Sequence, residues 1–558
     1  MRPALLALAL LTAAPTQAFA DSRDGVLDAM ASELVRSQKE LRLESYRAPY
    51  FVEFRLIESQ TMELEGRFGA LVDQDQQTKR RAAVNVRVGD YDFDSTPAKD
   101  DYLFESVSTF RPPKQAPLDD DADALKSTFW LLADQAYKKA VASFLRKKAS
   151  KVNGIEDKKI ASFSREAPYQ HASSTLEVGY DTAKWGGVLR RVSSRFRGDK
   201  SIIDGSVALR AGLDRLYLVN TEGTRVVRDR VIYSLAINAI TRAADGQLLD
   251  QGRTVYGRTI DELPDEEAIG ALVDQIITEL AGLRAAPIAD PYTGPAILEA
   301  EATGVFFHET VGHRLEGERQ NDDREGQTFK GRLGAKILPD FITVRDDPTT
   351  RRFGDISLNG YYTVDEQGVP AQNVVLVRDG VLETFLTSRA PLESVQRSNG
   401  HGRAEGTRSP VARMGNLIVE GKRAVSPERL KALLLEEVKR QGKPYGLIIR
   451  DITGGSTNTS SYGYQAFKGT PRMVYRVDAE TGQETLVRGV EMVGTPLTAV
   501  SKILATANNV GVFNGYCGAE SGYVPVSTVA PPTLFREIEL QRSQRAKEKR
   551  PILPPPWR

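Results

Sequence analysis

One cysteine, Cys517, stands in a chain of 558 residues. A lone thiol cannot build an intramolecular disulfide framework, so this fold must be held by packed cores and hydrogen bonds. It also excludes zinc sites made of several thiolates, and only 4 histidines are available as further strong ligands. The length suits more than one domain and leaves ample chain for a large core. Hydrophobic residues at 41% and charged residues at 27% describe an ordinary globular mixture rather than a disordered or fibrous one. With 75 Lys+Arg against 74 Asp+Glu, the net charge of +1 gives no electrostatic case for nucleic acid as a partner.

The N-terminus predicts export. Arg2 supplies a positive start, Ala4 to Ala14 form an apolar run, and Ala18-Phe19-Ala20 give a small-x-small cleavage pattern before Asp21. Residues 1–20 therefore read as a signal peptide. The run is too short for a permanent span, which needs about 20 apolar residues, and no stable membrane anchor is expected. The expected home is periplasmic or secreted. An unpaired thiol is unusual in an exported protein, and that singles out Cys517 again.

The rest predicts an α+β fold of two sheet-rich domains with amphipathic helices. Apolar residues at helical spacing mark a helix from Val26 to about Leu41, and another runs through Phe129, Leu132, Ala133, Tyr137, Ala140 and Phe144. Tyr50–Glu58, Thr61–Val72 and Ala83–Val88 read as strands. Leu216–Arg242 alternates, with a hairpin turn at Thr221-Glu222-Gly223. Pro264 and Gly282 bracket a further helix. The proline-rich stretch Ala285–Pro295 is the preferred boundary between an N-terminal α/β domain (21–286) and a C-terminal domain (287–542). In the latter, strands are expected around Phe341–Arg345, Val374–Val377, Leu447–Ile452, Met473–Val477 and Thr485–Val490, with a helix from Ser426-Pro427 to Gly442. Residues 543–558 form a basic, proline-rich tail for which disorder is expected.

Two of the four histidines fall in one stretch, His308-Glu309-Thr310-Val311-Gly312-His313. The apolar Ala302–Phe307 before it fits a buried helix, placing the metal-site helix in the C-terminal domain. In a straight α-helix, however, residues five apart lie about 140° around the axis and could not readily grip one ion. A π-bulge would absorb the extra residue, and Gly312 is the expected place for it. His308 and His313 would then converge, with Glu309 on the same side as general base toward a metal-activated water. A third ligand is required. His171, His401 and Cys517 are the candidates, and Cys517 is favoured by its glycine-rich setting, Asn514-Gly515-Tyr516-Cys517-Gly518-Ala519, read as a tight turn.

These residues carry a resemblance. His308–His313 as HExxxH, Gly294-Pro295, Val364-Asp365-Glu366-Gln367-Gly368-Val369-Pro370, Pro410-Val411-Ala412-Arg413-Met414-Gly415-Asn416 and Cys517-Gly518 together resemble the TldD/PmbA family of metalloproteases, its TldD-type catalytic subunit in particular. The resemblance is dense from about Tyr292 to Leu534. It implies one divalent metal ion, zinc first, held by His308, His313 and Cys517, with Glu309 as the catalytic carboxylate. It further implies peptide substrates, and a homodimer or a heterodimer with a homologous PmbA-type subunit. Two departures stand out: the signal peptide, and Gly518-Ala519-Glu520-Ser521-Gly522 where the family more often has Gly-Lys-Asp-Gly-Gln.

The expectation is thus an exported zinc-dependent metallopeptidase acting on unfolded or small peptides. Two other classes stay open at this point. One is a non-catalytic subunit of a peptidase complex with a structural, four-ligand metal site. The other is a thiol-dependent hydrolase with Cys517 as nucleophile. Gly454-Gly455-Ser456-Thr457-Asn458 reads as a turn, with a substrate-facing loop as the second possibility, and His401 reads as an exposed loop histidine or a substrate contact.

Overall fold

The computed structural model describes residues 22–43, 46–96, 112–152, 160–322, 324–461, 466–543 and 553, 555 and 556. The predicted signal peptide and most of the predicted tail lie outside the described residues.

The N-terminal half is organised by one six-stranded sheet. Strands β1 (Phe51–Arg67), β2 (Ala70–Arg87), β3 (Gln170–Ala172), β4 (Ile202–Asn220), β5 (Arg225–Arg242) and β6 (Leu248–Gly257) run in the order β2-β1-β4-β5-β3, with β6 also on β5. Thr61–Val72 is not a strand of its own: β1 runs unbroken to Arg67, and the chain reverses at Phe68-Gly69, both at positive φ. The predicted turn at Thr221–Gly223 does join β4 to β5, where the Asn220 side chain accepts from the Glu222 and Thr224 N–H groups.

Strand alternation gives this sheet two different faces. One is apolar and helix-covered. Helices α1 (Ser22–Glu40) and α2 (Ala122–Val152) bury Val26, Met30, Phe129 and Tyr137 against Phe54, Leu56 and Tyr217. Farther along the same face, α3 (Thr182–Ser194) and α4 (Glu266–Ala285) bury Leu189 and Ile276 against Leu64, Leu209 and Leu235. Gly282 lies inside α4 rather than beyond its end, because the helix continues to Ala285 before the Ala286 N–H closes on the Gly282 carbonyl. The opposite face meets the C-terminal half through Leu216, Leu218 and Val364 and through buried polar ties. Arg228 pairs with Glu366 at 2.7 Å, Arg55 donates to the Arg408 carbonyl at 2.9 Å, and Arg258 donates to the Leu358 carbonyl at 2.6 Å.

Every strand from Tyr292 onward belongs to other sheets. In the seven-stranded sheet, β7 (Tyr292–Leu298) lies between strands Tyr445–Thr457 and Thr533–Arg542. Pairing of Tyr445–Thr457 with Phe467–Asp478 closes five of its strands into a ring. Thr485–Val490 is two strands rather than one, Glu484–Val487 and Val490–Gly494, broken at Gly489 with φ of 80°. The last strand continues through Arg542, so the charged stretch just after Leu540 begins inside the sheet. A six-stranded sheet ends on the hairpin Gly511–Ala519/Gly522–Ala530, whose first strand is an edge. Helix α5 (Ala300–Thr310) is wedged between these sheets: Phe306 makes edge contacts with Phe467 and Phe535, and Gly304 faces Thr528 and Phe513. Helix α6 (Pro427–Arg440) is capped by Ser426 as expected. No helix among the described residues is long and apolar enough to cross a membrane.

Candidate metal centre

From Ala302 to Thr310 every residue of α5 is buried, so its last turn carries His308 and Glu309 into the interior. The predicted π-bulge does not occur. Instead α5 ends at Thr310, and Gly312–Leu315 forms a 3₁₀ turn carrying His313. Breaking the helix removes the 140° problem directly. The ring centroids of His308 and His313 come to 4.8 Å with planes at 86°. The end is stabilised by the Arg314 side chain, which donates to the Glu309 carbonyl at 2.8 Å and to Thr457 Oγ1 at 3.0 Å, using a carbonyl the terminated helix leaves open. Gly312 is needed for close packing rather than for a bulge, since a Cβ there would lie 2.1 Å from the Met414 sulfur.

Cys517 is on the edge strand Gly511–Ala519, opposite Val524, and not in a turn; the hairpin reverses only after Ala519. Alternation sends its side chain inward while Tyr516 is half exposed. Its Sγ lies 3.1 Å from His308 Nε2 and 3.4 Å from His313 Nε2, and the three donor atoms all fall within 4.8 Å of one another. Tetrahedral zinc, with bonds near 2.3 Å to sulfur and 2.0–2.1 Å to nitrogen, asks for donor separations of about 3–4 Å. Both nitrogen–sulfur distances meet that, while the triangle as a whole is looser. One thiolate and two imidazoles are a zinc-type donor set, and they fit such an ion. Among the described residues this is the one His/Cys/Asp/Glu group so arranged, and it has three donors rather than a closed four.

The electrostatics agree with that chemistry. Burial alone would raise the Cys517 thiol, but the His313 and His308 imidazoles outweigh it and hold it well below its ordinary value. Burial disfavours the His313 cation, yet Cys517 and Glu316 together raise it well above the usual imidazole value. Burial lifts the Glu309 carboxyl, with His308 and His313 opposing.

The group opens onto a cavity of about 920 Å³. Its walls are α5 (Glu301, Val305, His308, Glu309), the strand segment Ile452–Thr457, the edge strand Val512–Ala519, and Gly252–Tyr256 of β6. Gly454–Thr457 is therefore a strand lining the cavity, not a turn. Gly455 allows it to run against the helix, since a Cβ there would come 2.5 Å from Glu309 Cγ. Arg253 of β6 crosses to Asp451 at 2.7 Å. The wall contributed by β6 was missed in the sequence, because nothing in its alternation distinguishes it from any sheet strand.

The two remaining histidines are elsewhere. His401 is fully buried, not an exposed loop residue, and its ring meets Asp346 at 3.2 Å and the Asn399 carbonyl at 3.0 Å. His171, on β3, meets Thr363 Oγ1 at 3.2 Å. Neither joins the cluster. Glu316 and Arg319, beside His313, also went unrecognised, although an acid three residues after a ligand histidine was the available signal.

Residues 291–542 match the PmbA/TldA metallopeptidase C-terminal domain. This C-terminal part of the chain is thus similar to the TldD/PmbA family. The chain also matches relatives named TldD homologs in Haemophilus influenzae (25% identical, 68% of the relative covered) and Buchnera aphidicola (22% identical, 80% covered). A metalloprotease of Archaeoglobus fulgidus is 31% identical over 242 residues, 43% of this chain and 51% of the relative. A zinc metalloprotease TldD homolog of Saccharolobus solfataricus is 24% identical over 325 residues, 58% of this chain and 67% of the relative. The chain thus spans about half the length of the first curated metalloprotease relatives it matches. In fold it resembles TldE from Thermococcus kodakarensis, with a TM-score of 0.59 at 14% identity, covering 92% of this chain and 100% of that one.

Proposed function

We propose that this chain is a metallopeptidase that hydrolyses peptide bonds, with His308, His313 and Cys517 holding one divalent ion, zinc first, and Glu309 as general base. The observation that carries the reading is the convergence of two imidazoles and the sole thiol beside a carboxylate, at the wall of a cavity. A bound ion supplies Lewis acidity, lowering the pKa of a water and polarising the scissile carbonyl. Glu309 takes the proton from the attacking water and returns it to the leaving amine. The four side chains are each no more than 7% exposed, so only an unfolded or small peptide, threaded between β6 and the edge strand, reaches them.

The names of the curated relatives support a metal-dependent peptidase. The likeness to TldE supports assembly with a homologous subunit, and the N-terminal apolar run supports export. The proline-rich stretch Ala285–Pro295 supports a division of the chain near residue 286. Chelation is expected to abolish hydrolysis of an unstructured peptide, and zinc to restore it. Hydrolysis that resists chelation but stops on alkylation of Cys517 would replace this reading with the thiol-dependent one.

A further inference from the structure

Behind the donor atoms lies a buried charge network that the reaction itself does not use. Glu316 is not among the residues that line the cavity. Its Oε2 lies 3.1 Å from His313 Nδ1 and accepts from Arg319 Nε at 2.8 Å, and its Oε1 is ion-paired with Arg413 Nε at 3.3 Å without a hydrogen bond. The same Arg413 guanidinium turns to the opposite ligand. Its Nη2 donates to the Cys517 carbonyl at 2.7 Å, and its Nη1 donates to Ser521 Oγ at 3.0 Å and to the Gly522 carbonyl at 3.1 Å. Arg413 is fully buried and Glu316 nearly so. By contrast, His308 Nδ1 is buried with no hydrogen-bond partner.

We propose that Glu316 and Arg413 are paired positioning residues of the metal centre, one carboxylate–guanidinium unit that aims His313 through Nδ1 and fixes Cys517 through its backbone. The inference rests on the reading of the cluster as a metal site. His313 and Cys517 are 204 residues apart in sequence, and no common helix or sheet register relates them. An outer carboxylate sets the tautomer and direction of a ligating imidazole and makes it a better donor. Arginine suits the central role because its rigid fork serves several acceptors in fixed directions, whereas a lysine ammonium satisfies only a point contact. Ser521, one of the departures from the family pattern, is thereby given a role: its hydroxyl accepts from Arg413 at the turn following Cys517.

The test measures zinc affinity of the full chain by competition with a chromogenic chelator, and absorption of the cobalt(II)-substituted chain. Glu316→Gln is expected to weaken zinc binding about 10–100-fold. Arg413→Lys, which keeps a buried charge opposite Glu316, is expected to weaken it about tenfold and to shift the thiolate–cobalt band. Glu316→Gln added to His313→Ala should cause no further loss, because the carboxylate acts through that imidazole. Variants with lowered melting temperature but parental zinc affinity and cobalt spectrum would show a merely structural network and overturn the proposal. Parental zinc affinity in both His308→Ala and Cys517→Ser would instead overturn the metal reading, and the clamp with it.

Discussion

Helix α5 and the two 3₁₀ turns that follow it, Gly312–Leu315 and Gly317–Gln320, joined at Glu316, deliver their ligands by opposite means. Within α5, His308 and Glu309 are placed by apolar packing: Val305, Phe306 and Phe307 are buried, and His308 has no partner on its far nitrogen. In the following segment, His313 is placed by charge, through Glu316, Arg319 and Arg413. Non-directional packing can seat a helix but does not choose a tautomer; directional hydrogen bonds can hold a side chain where regular structure has ended. Splitting the motif between both mechanisms lets histidines five apart face one point.

Perturbing the packed side should harm chemistry most, and perturbing the charged side should harm geometry and stability. The largest effect is expected from Glu309→Gln: peptide hydrolysis falls about 10²–10⁴-fold while zinc content is unchanged. Next, Gly455→Ala presses a methyl group against Glu309 Cγ and Val305. A displacement of about 1 Å in a catalytic group can cost about 10²-fold, so kcat should fall with zinc affinity retained. Gly312→Ala strikes the junction of the two regions. Its Cβ meets the Met414 sulfur, and a melting experiment should show overpacking of about 1–3 kcal/mol. Equal stability to the parent would mean that the segment after α5 is looser than the comparison holds.

The smallest effect is a pH dependence. Burial pushes the Glu318 carboxyl up to about 7, against hydrogen bonds from Ser388 Oγ and the Ala412 N–H. For an acid raised in the folded state, stability is lost as pH rises from about 4.5, the value of a free carboxyl, to about 7, and the cost is constant above that. Glu318→Gln, which cannot ionise, should therefore gain a few degrees in melting temperature relative to the parent between pH 5 and pH 7.5. A difference independent of pH would contradict a raised Glu318 carboxyl.

Much of this was legible in the sequence, and its limits are physical. Periodicity located α1, α2 and α6, and the turn at Thr221–Gly223, because each depends on local spacing and caps. The cluster itself was legible because strong ligand types are scarce here, leaving few combinations of 4 histidines and 1 cysteine. The helix break after Thr310 was not legible, because its stabilising partner is a side-chain fork reaching Thr457, 143 residues away. Cys517 was misread as lying in a turn because Gly515 and Gly518 look like turn residues, yet both continue the strand ladder. Gly455 misled in the same way: its absent side chain serves close approach to Glu309, which local sequence does not distinguish from a turn. His401 looked exposed among glycines because its partner, Asp346, is 55 residues away.

The central claim is that His308, His313 and Cys517 hold a single ion together. X-ray absorption at the zinc edge of the loaded full chain tests it most directly. The account predicts one sulfur near 2.3 Å and two imidazole nitrogens near 2.0–2.1 Å, with the sulfur lost in Cys517→Ser. A shell of light atoms alone in the parent chain, or one unchanged by that substitution, would contradict it.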